Sequence, residues 1–352
     1  MRCMQRGAIA DGVLSDQEIQ SRGVFNPYSI SGDVMSNDQS KVKEQSLFGK
    51  NKNPSNIMPK KLTLNSRIKF RCHPGVSCFT ACCGGIKIVL TPYDILILTK
   101  RLGIPAHDFL HLYTLPTYLE QTDMPGVMIK MREEDNKCPF VTPDGCIVYS
   151  DRPSACRYYP VGMADFHEAG RKEEGGTEVL GGDDKFYFVV KEDYCKGHEE
   201  DKEWTVAEWR ADQGVDVRDD MNREWLRLVM RRKSHGQQAQ LSEQAKRMFF
   251  MASTDLAHFK RFIFESSFLQ TYDVDPEIVE KIKEDDIELL HFSYRYLASS
   301  LFGVQDPGFR IREEKIQAKV SVMKQQQDES VLQAIRQYEA LKADMDDLKL
   351  KK

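Results

Sequence analysis

The chain has 352 residues, of which 41% are apolar and 30% charged, and its 50 basic and 54 acidic side chains give a net charge of −4. This length allows one large or two small domains with a hydrophobic core. The near-neutral charge excludes a strongly basic nucleic-acid- or membrane-binding protein. No run of about 18 apolar residues is present, which excludes a transmembrane helix. Because the N-terminal sequence lacks the apolar core of a secretory signal, we expect a cytoplasmic protein.

The N-terminal residues 1–67 are rich in polar side chains and predict a flexible tail, which contains Cys3. After this tail, the alternation of Ile86, Ile88 and Leu90 predicts a short strand. A helix is predicted to begin directly after it, since Thr91-Pro92-Tyr93-Asp94 combines an N-cap, a first-turn proline and an acidic first turn. Gly103 ends this helix, and a second short helix follows Pro105.

The middle of the chain is predicted to consist of short strands and loops. Val127, Ile129 and Met131 indicate one strand, and residues 185–191 another. Prolines prevent a long helix in the loop between them; these are Pro139, Pro143, Pro153 and Pro160. Two glycine pairs within 175–182 predict a hairpin or a mobile loop.

Beyond Trp204 the sequence becomes helical. A short helix ends at Gly214, another covers 219–233, and two long amphipathic helices cover 241–270 and 276–302. The basic stripe of the 219–233 helix is interpreted as a solvated face rather than as a site for RNA, acidic protein or anionic lipid. This stripe consists of Arg223, Arg227, Arg231, Arg232 and Lys233.

The C-terminal residues carry an apolar pattern with steps of three and four residues, which predicts an amphipathic helix. The pattern consists of Val331, Ile335, Tyr338, Leu341, Met345 and Leu348. Such a helix could bind a protein partner as a short coiled coil, or it could be a solvated helix. The fold class predicted for the whole chain is α+β. Its predicted parts are a tail (1–67), a loop-rich cysteine module (68–200), a helical domain (201–310) and a charged helical tail (311–352).

Cysteine placement is the most informative feature of the sequence. Eight of the nine cysteines lie between residues 72 and 195, and none follows. The eight are Cys72, Cys78, Cys82, Cys83, Cys138, Cys146, Cys156 and Cys195. In a reducing compartment, crowded thiols are more typical of metal ligands or catalysts than of disulfides. Eight thiolates are enough for two four-cysteine centres, although individual cysteines could equally be inert core residues.

The motifs around these cysteines resemble the YkgJ-type cysteine-cluster family, the CxxCxxCC proteins, which are described as zinc- or iron-chelating. The resemblance covers about residues 68–200. It is carried by Phe70 with the first four cysteines, by Cys138-Pro139-Phe140, by Cys195-Lys196-Gly197 and, most specifically, by the block from Gly145 to Pro160. The first block departs from the family, because its spacing of five and three residues is wider than usual. This departure leaves open which of Cys72 and Cys78 is a ligand.

The spacing fits zinc or an iron–sulfur cluster. Zinc fits any four-thiolate site. A cluster accepts irregular spacing and the adjacent Cys82 and Cys83, because its irons face different directions, and we therefore place it ahead of zinc. His73 and His198 could replace a sulfur ligand, but we expect both at the surface.

Arg152 and Arg157 flank Cys156 and are candidate cofactor-binding residues. Their guanidinium groups could offset the negative charge of a thiolate cluster. Alternatively, they could pin the loop through salt bridges to Asp151 or Asp144.

The sequence allows three functions. The first is a metal-binding protein with a structural or electron-transfer role, and another is a protein whose helical part binds a partner. The third is a protein-lysine N-methylase, which the resemblance alone implies, because some relatives are described as flagellin lysine N-methylases. Such an enzyme would need S-adenosylmethionine, but no Rossmann-type glycine motif for it is present.

Overall fold

The computed structural model describes residues 61–119, 122–165, 185–234 and 240–317, together with Ser321, Gln325 and Glu329. These residues combine helices with small two-stranded antiparallel sheets, which confirms the α+β class. Within them, no helix is both long and apolar enough to cross a bilayer. The chain divides into two compact units, the first comprising residues 1–119 and 125–220 and the second comprising residues 120–124 and 221–352.

The first unit contains short helices and four strand pairs among its described residues. The helices are α1 (Pro92–Leu102), α2 (Ala106–Tyr113), α3 (Ser154–Tyr158) and α4 (Val206–Gln213). The strands are β1 (Arg67–Lys69), β2 (Thr114–Tyr118), β3 (Pro125–Ile129), β4 (Val141–Thr142), β5 (Gly145–Cys146), β6 (Val161–Asp165), β7 (Lys185–Val189) and β8 (Glu203–Thr205). They pair as β1–β8, β2–β3, β4–β5 and β6–β7.

The second unit is mostly helical. Helix α5 (Val215–Ser234) begins among the residues of the first unit and continues into the second. The further elements are α6 (Glu243–Thr254), α7 (Leu256–Glu265), α8 (Phe268–Thr271), β9 (Tyr272–Val274), α9 (Pro276–Glu284), α10 (Asp286–Phe302) and β10 (Phe309–Ile311). Strands β9 and β10 pair antiparallel.

Helix ends with strong local signals lie where the sequence predicts them. Thr91 and Asp94 form a reciprocal capping box at the start of α1, and Gly103 ends it in the left-handed conformation. Helix α4 likewise ends at Gly214, also left-handed. The predicted short helix after Pro105 is confirmed as α2.

Two predicted long helices are wrong, because aspartates interrupt them. Residues 241–270 form α6, α7 and α8, and residues 276–302 form α9 and α10. The Asp255 carboxylate accepts a hydrogen bond from the His258 amide, and the Asp285 carboxylate accepts one from the Ile287 amide. Each aspartate therefore caps a new helix in the middle of an amphipathic pattern.

The predicted strands are partly correct. Residues 86–90 do not form a regular strand, but the Leu90 amide donates to Val127 and the Ile129 amide donates to Ile88 along β3. Strand β3 ends at Ile129, before Met131, and β7 ends at Val189. The predicted glycine-rich hairpin at 175–182 lies outside the described residues.

The core of the first unit includes residues on both sides of the predicted limits at 67 and 200. Leu62 is buried and exchanges two backbone hydrogen bonds with Tyr187, and Trp209 packs against Phe70. Residues 61–67 therefore pack with the module, whereas the rest of the predicted tail, including Cys3, lies outside the described residues. The pairing of β1 with β8 likewise brings residues beyond 200 into this core.

The second unit has a core rich in aromatic side chains. Its buried residues include Phe249, Phe259, Phe292 and Tyr294, and the Trp225 ring stacks on Phe249. Residues 313–317 are helical, but the predicted apolar pattern from Val331 to Leu348 lies outside the described residues. A protein partner for that helix stays a prediction.

The interpretation of Arg232 as part of a solvated basic face is wrong. Its side chain is buried, and Nε donates to Asp123 Oδ1 at 2.7 Å. The other Asp123 oxygen accepts the Leu241 amide at 2.9 Å. Burial opposes ionisation of Asp123, but these hydrogen bonds outweigh it and hold the pKa of this carboxyl below its usual range.

We expect Asp123→Asn to lower the free energy of unfolding by about 2 kcal/mol at neutral pH, since it removes a charged acceptor from a buried guanidinium. The native ion pair stabilises the fold above the ordinary carboxyl pKa and loses this effect as pH falls through the lowered folded-state pKa. The difference between variant and natural chain should therefore shrink in acid. Urea unfolding followed by circular dichroism measures both effects.

The matched control is Glu243→Gln, which breaks the more exposed Lys246–Glu243 pair at 3.0 Å. This change should cost less than about 0.5 kcal/mol. Equal losses in the two variants would contradict the role assigned to Asp123.

Candidate metal centre

The first cysteine loop carries Cys72, Cys78, Cys82 and Cys83, and Phe70 anchors it at its start. The Phe70 amide donates to Lys202 at 2.9 Å, and the Trp204 indole donates to the Phe70 carbonyl at 2.9 Å. The Phe70 ring also packs edge-on against Tyr159. Cys72 lies two residues after Phe70. The point at which the chain leaves the β1–β8 pair and enters the first cysteine loop is therefore fixed.

Cys82 and Cys83 lie on a 3₁₀ turn (Ala81–Cys83). The preceding Thr80 has a φ of 64°, in the left-handed region that a β-branched residue rarely adopts. This tight turn places the two cysteines next to each other at the surface of the loop, with their thiols within hydrogen-bonding reach.

The loop carrying Cys195 docks on the first loop. The Lys196 amide donates to Cys78 Sγ at 3.1 Å, and the Arg71 amide donates to the Gly197 carbonyl at 3.0 Å. Gly197 is needed for this approach, because a Cβ there would lie 2.8 Å from the Phe70 ring. Residues separated by more than a hundred positions in the sequence are thus brought together.

The charges of neighbouring thiols act on Cys72 and Cys195. Burial, followed by the charges of Cys82, Cys78 and Cys195, raises the pKa of Cys72 to about 11. A thiol–thiol hydrogen bond with Cys83, followed by burial, raises the pKa of Cys82. Burial and the charges of Cys78 and Cys82 likewise raise the pKa of the buried Cys195. We refer to Cys72, Cys78, Cys82 and Cys195 as the first thiol group.

The second cysteine loop carries Cys138, Cys146 and Cys156, and the β4–β5 hairpin organises its first part. Cys138 lies before β4, where its carbonyl accepts the Val141 amide at 3.1 Å, and Val141 pairs with Cys146 in β5. Gly145 begins β5 with a φ of 120°, a conformation that favours glycine, and the Phe79 ring fills the space beside it.

Cys156 is positioned by a buried aspartate. Asp94 is fully buried in α1 and accepts hydrogen bonds from the Ser154 amide at 2.9 Å and from the Ser154 hydroxyl at 2.7 Å. These bonds fix the first turn of α3, which carries Cys156. The sequence marks Asp94 as a helix-capping residue, but no local signal shows that it also holds a second helix.

The thiols of Cys138, Cys146 and Cys156 also form a group, which we call the second thiol group. Burial raises the pKa of Cys138 to about 11, and the charge of Cys146 adds to the effect. Burial, with the charges of Cys138 and Cys146, raises the pKa of Cys156 to about 12. Burial raises the pKa of Cys146 as well.

Backbone hydrogen bonds join the two loops at Cys83. The Cys138 amide donates to the Cys83 carbonyl at 2.7 Å, and the Gly85 amide donates to Asn136 at 2.9 Å. The 3₁₀ turn of the first loop therefore lies against the start of the second loop, and the two thiol groups belong to one cysteine-rich region.

Arg152 acts on both thiol groups. Its positive charge lowers the thiol pKa of Cys72 and Cys82 in the first group and of Cys146 and Cys156 in the second, against the larger effects that raise these values. The guanidinium lies over the Tyr149 ring at 4.2 Å. Among the described residues, no hydrogen-bond acceptor is within reach of its buried Nε. Arg152 thus lies within electrostatic reach of both thiol groups, and its role in binding a cofactor stays a prediction.

Arg157 pins the loop in a different way from the predicted salt bridge. It is buried and donates to the carbonyls of Gln213 at 2.6 Å, of Arg152 at 3.1 Å and of Ser150. Its guanidinium is therefore bonded to backbone, while Asp151 lies 3.7 Å from Arg101. Burial, followed by the charges of Arg218 and Arg152, lowers the pKa of Arg157 to about 10.

The two histidines are engaged elsewhere. His73 Nε2 bonds to Glu200 at 3.0 Å, and its Nδ1 accepts the Gly75 amide at 3.1 Å. His198 is half-buried and packs against Phe70 at 5.1 Å, so its predicted surface position is wrong. Burial lowers the pKa of His198 and favours the neutral ring.

The chemistry of the thiol groups fits a metal cation. Buried thiols with raised pKa values resist ionisation until a cation replaces their protons. Within the part of the chain that the structure describes, no three Cys, His, Asp or Glu side chains are already arranged as a metal-ion site. Binding would therefore draw the thiols of a group closer together, while the backbone loops that carry them are already docked.

These features describe a cysteine-rich region in which loops from distant parts of the chain are docked together. Residues 71–196 match the model of the CxxCxxCC family, described as "Putative zinc- or iron-chelating domain". The match covers less than half of the chain and contains all eight clustered cysteines. No curated protein and no solved structure matches the chain significantly.

We expect Gly197→Ala to separate the Cys195 loop from the first loop. The added Cβ would lie 2.8 Å from Phe70 Cε2 and 2.9 Å from the Arg71 carbonyl, so the backbone must move. Stability should fall by about 1–3 kcal/mol, and the purified protein should retain less metal. Thermal unfolding and elemental analysis measure these changes.

Gly84→Ala is the matched control, because its Cβ would lie an acceptable 3.4 Å from Asn136. Equal behaviour of the two variants would contradict the docking role.

We expect Arg152→Gln to weaken metal binding by about tenfold or more, since it removes a positive charge beside several thiolates. In metal-free protein, ultraviolet absorbance of the thiolates should show ionisation at higher pH than in the natural chain. Arg152→Lys keeps the charge and should lie between the two. Unchanged thiolate titration in Arg152→Gln would show that Arg152 has only a packing role.

Proposed function

We propose that the cysteine module of the first unit is a metal-binding domain that chelates an iron–sulfur cluster, with zinc as the alternative metal. The observation that carries this proposal is the docking of cysteine-bearing loops that are far apart in sequence. The Lys196 amide of the Cys195 loop donates to Cys78 Sγ at 3.1 Å, and the Cys138 amide donates to the Cys83 carbonyl at 2.7 Å.

Electrostatics supports a bound cation. Packed thiols gain little from one another when neutral, and they repel one another when ionised. A metal ion or cluster reverses this balance, because thiolates are its ligands and their protons are released on binding. Arg152 supplies part of the same compensation in the metal-free protein.

A structural role follows from the composition of the module. Its cysteine loops contain short elements, among them the 3₁₀ turn Ala81–Cys83 and the two-residue strands β4 and β5. Elements of this size bury too little apolar surface to hold a loop region by themselves. Metal–thiolate bonds would cross-link these loops and make the fold depend on the metal.

A redox role is the further possibility if the metal is an iron–sulfur cluster, which supplies one-electron transfer when bound. The Lys196 amide that donates to Cys78 and the charge of Arg152 are groups that would stabilise the more negative state of a centre. The choice of a cluster over zinc rests on the sequence, in which Cys82 and Cys83 are adjacent and eight thiols are available. Nothing in the described residues favours the lysine N-methylase alternative, which stays a prediction.

The test is anaerobic purification of the full chain followed by measurement of iron, zinc and acid-labile sulfide per chain. We expect bound metal, with sulfide and broad visible absorption if it is an iron–sulfur cluster. Cys138→Ser should reduce the metal content, since it removes a buried thiol. Cys3→Ser is the matched control and should retain all the metal, because Cys3 lies far from the others in the sequence. A colourless protein with neither iron nor zinc would end the proposal.

A further inference from the structure

We propose that Arg218, Arg157 and Arg152 form a binding site for a phosphate-bearing anion in the first unit. The observation that carries this proposal is the burial of Arg218 without a counter-ion. Its side chain is only 7% exposed, and among the described residues its buried Nη1 has no hydrogen-bond acceptor. The proposal concerns an anion and does not depend on the proposed metal binding.

Arg218 lies in the first turn of α5 and packs against α1. Its guanidinium lies over the Tyr93 ring, with Cζ 5.0 Å from the ring centre. A ring face attracts a cation, but it offers no acceptor to the N–H groups in the guanidinium plane. Burying a charged group without a hydrogen-bonded counter-ion is unfavourable. An anion that accepts hydrogen bonds from Arg218 would remove this cost.

The carboxylates of this region are bonded to other groups. Asp94, the neighbour of Tyr93 in α1, accepts its hydrogen bonds from the first turn of α3. Asp216 and Asp219 flank Arg218 in the sequence, and each accepts a hydrogen bond from Arg210 Nη2 at 2.6 Å. These carboxylates are therefore engaged, which leaves Arg218 available to an anion from outside the chain.

Arg157 and Arg152 add positive charge at the same place. Arg157 is buried, and its Nη1 donates to the Gln213 carbonyl, just before α5, at 2.6 Å. Its Nε donates to the Arg152 carbonyl at 3.1 Å. Burial, followed by the charges of Arg218 and Arg152, lowers the pKa of Arg157, in agreement with the proximity of the three groups. A bound anion would reduce the repulsion among them.

The number of positive charges favours phosphate over a carboxylate. Arg218 Nη1 and Arg152 Nε are buried donors without an acceptor among the described residues, and Arg157 supplies a third charge. A phosphate group carries a charge of about −1.5 to −2 at neutral pH and several acceptor oxygens, whereas a carboxylate carries a single charge. Guanidinium groups also match the geometry of phosphate oxygens. Free phosphate and the phosphate monoester of a small metabolite share this chemistry.

The test is isothermal titration calorimetry of the full chain with inorganic phosphate, glycerol phosphate and acetate, each at the same ionic strength. We expect inorganic phosphate to bind and to raise the melting temperature as its concentration increases. Arg218→Gln should weaken phosphate binding about tenfold or more, since it removes charged hydrogen bonds to the anion. Iron and zinc are measured in every sample, and their content should be unchanged in this variant.

Arg227→Gln is the matched control, because Arg227 is an exposed arginine of the same helix and its loss changes the net charge equally. This variant should bind phosphate as the natural chain does. Arg218→Lys keeps the charge without the planar fork of donors, and its affinity should lie between those of Arg218→Gln and the natural chain. If circular dichroism shows that Arg218→Gln does not fold, Arg218→Lys takes its place in the comparison.

The anion arms identify the source of the phosphate group. Tighter binding of glycerol phosphate would indicate a phosphorylated metabolite and tighter binding of inorganic phosphate the free anion, and both results support the site. The absence of phosphate binding, equal binding of acetate, or equal losses in the Arg218 and Arg227 variants would overturn it. A natural chain that binds phosphate but contains neither iron nor zinc would instead refute the proposed function and leave the anion site standing.

Discussion

The first unit depends on one electrostatic constraint, which is that buried thiols close to one another cannot ionise without a compensating positive charge. The fold nevertheless brings such thiols together from remote loops and fixes those loops with backbone hydrogen bonds. Arg152 acts on thiols of both groups, and its charge only partly opposes the rise in the pKa of Cys72 and Cys156. A metal cation would supply the rest, which is why the arrangement is more readily understood as a ligand set than as a core.

The sequence predicted those parts of the fold that local chemistry determines. Thr91 and Gly103 bound α1 because a capping hydroxyl and a left-handed glycine act within a few residues. The breaks at Asp255 and Asp285 were missed, because an aspartate within an amphipathic pattern can face solvent as well as cap a new helix. Arg232 was misassigned since its partner, Asp123, is distant in sequence.

The same distinction applies to the candidate site. Thiol density and spacing identified the cysteines, and the match over residues 71–196 supports metal chelation. The grouping of the thiols could not be predicted, because it depends on how the Cys195 loop and the β4–β5 hairpin dock. The different roles of the two arginines could not be predicted from sequence. Arg157 flanks Cys156 as Arg152 does, yet its guanidinium donates to backbone carbonyls. Which of two arginines faces a thiolate is decided by three-dimensional packing.

The pairing of β1 with β8 has a consequence for how this module can be used. Arg67 lies opposite Thr205, and the Arg71 amide meets the Gly197 carbonyl, so the chain enters and leaves the cysteine region at neighbouring points. A segment whose two ends lie close together can be inserted into a surface loop of another protein without displacing the host residues on either side of the insertion. The short strand pair β1–β8 therefore closes the cysteine region at its base, outside the loops that carry the thiols.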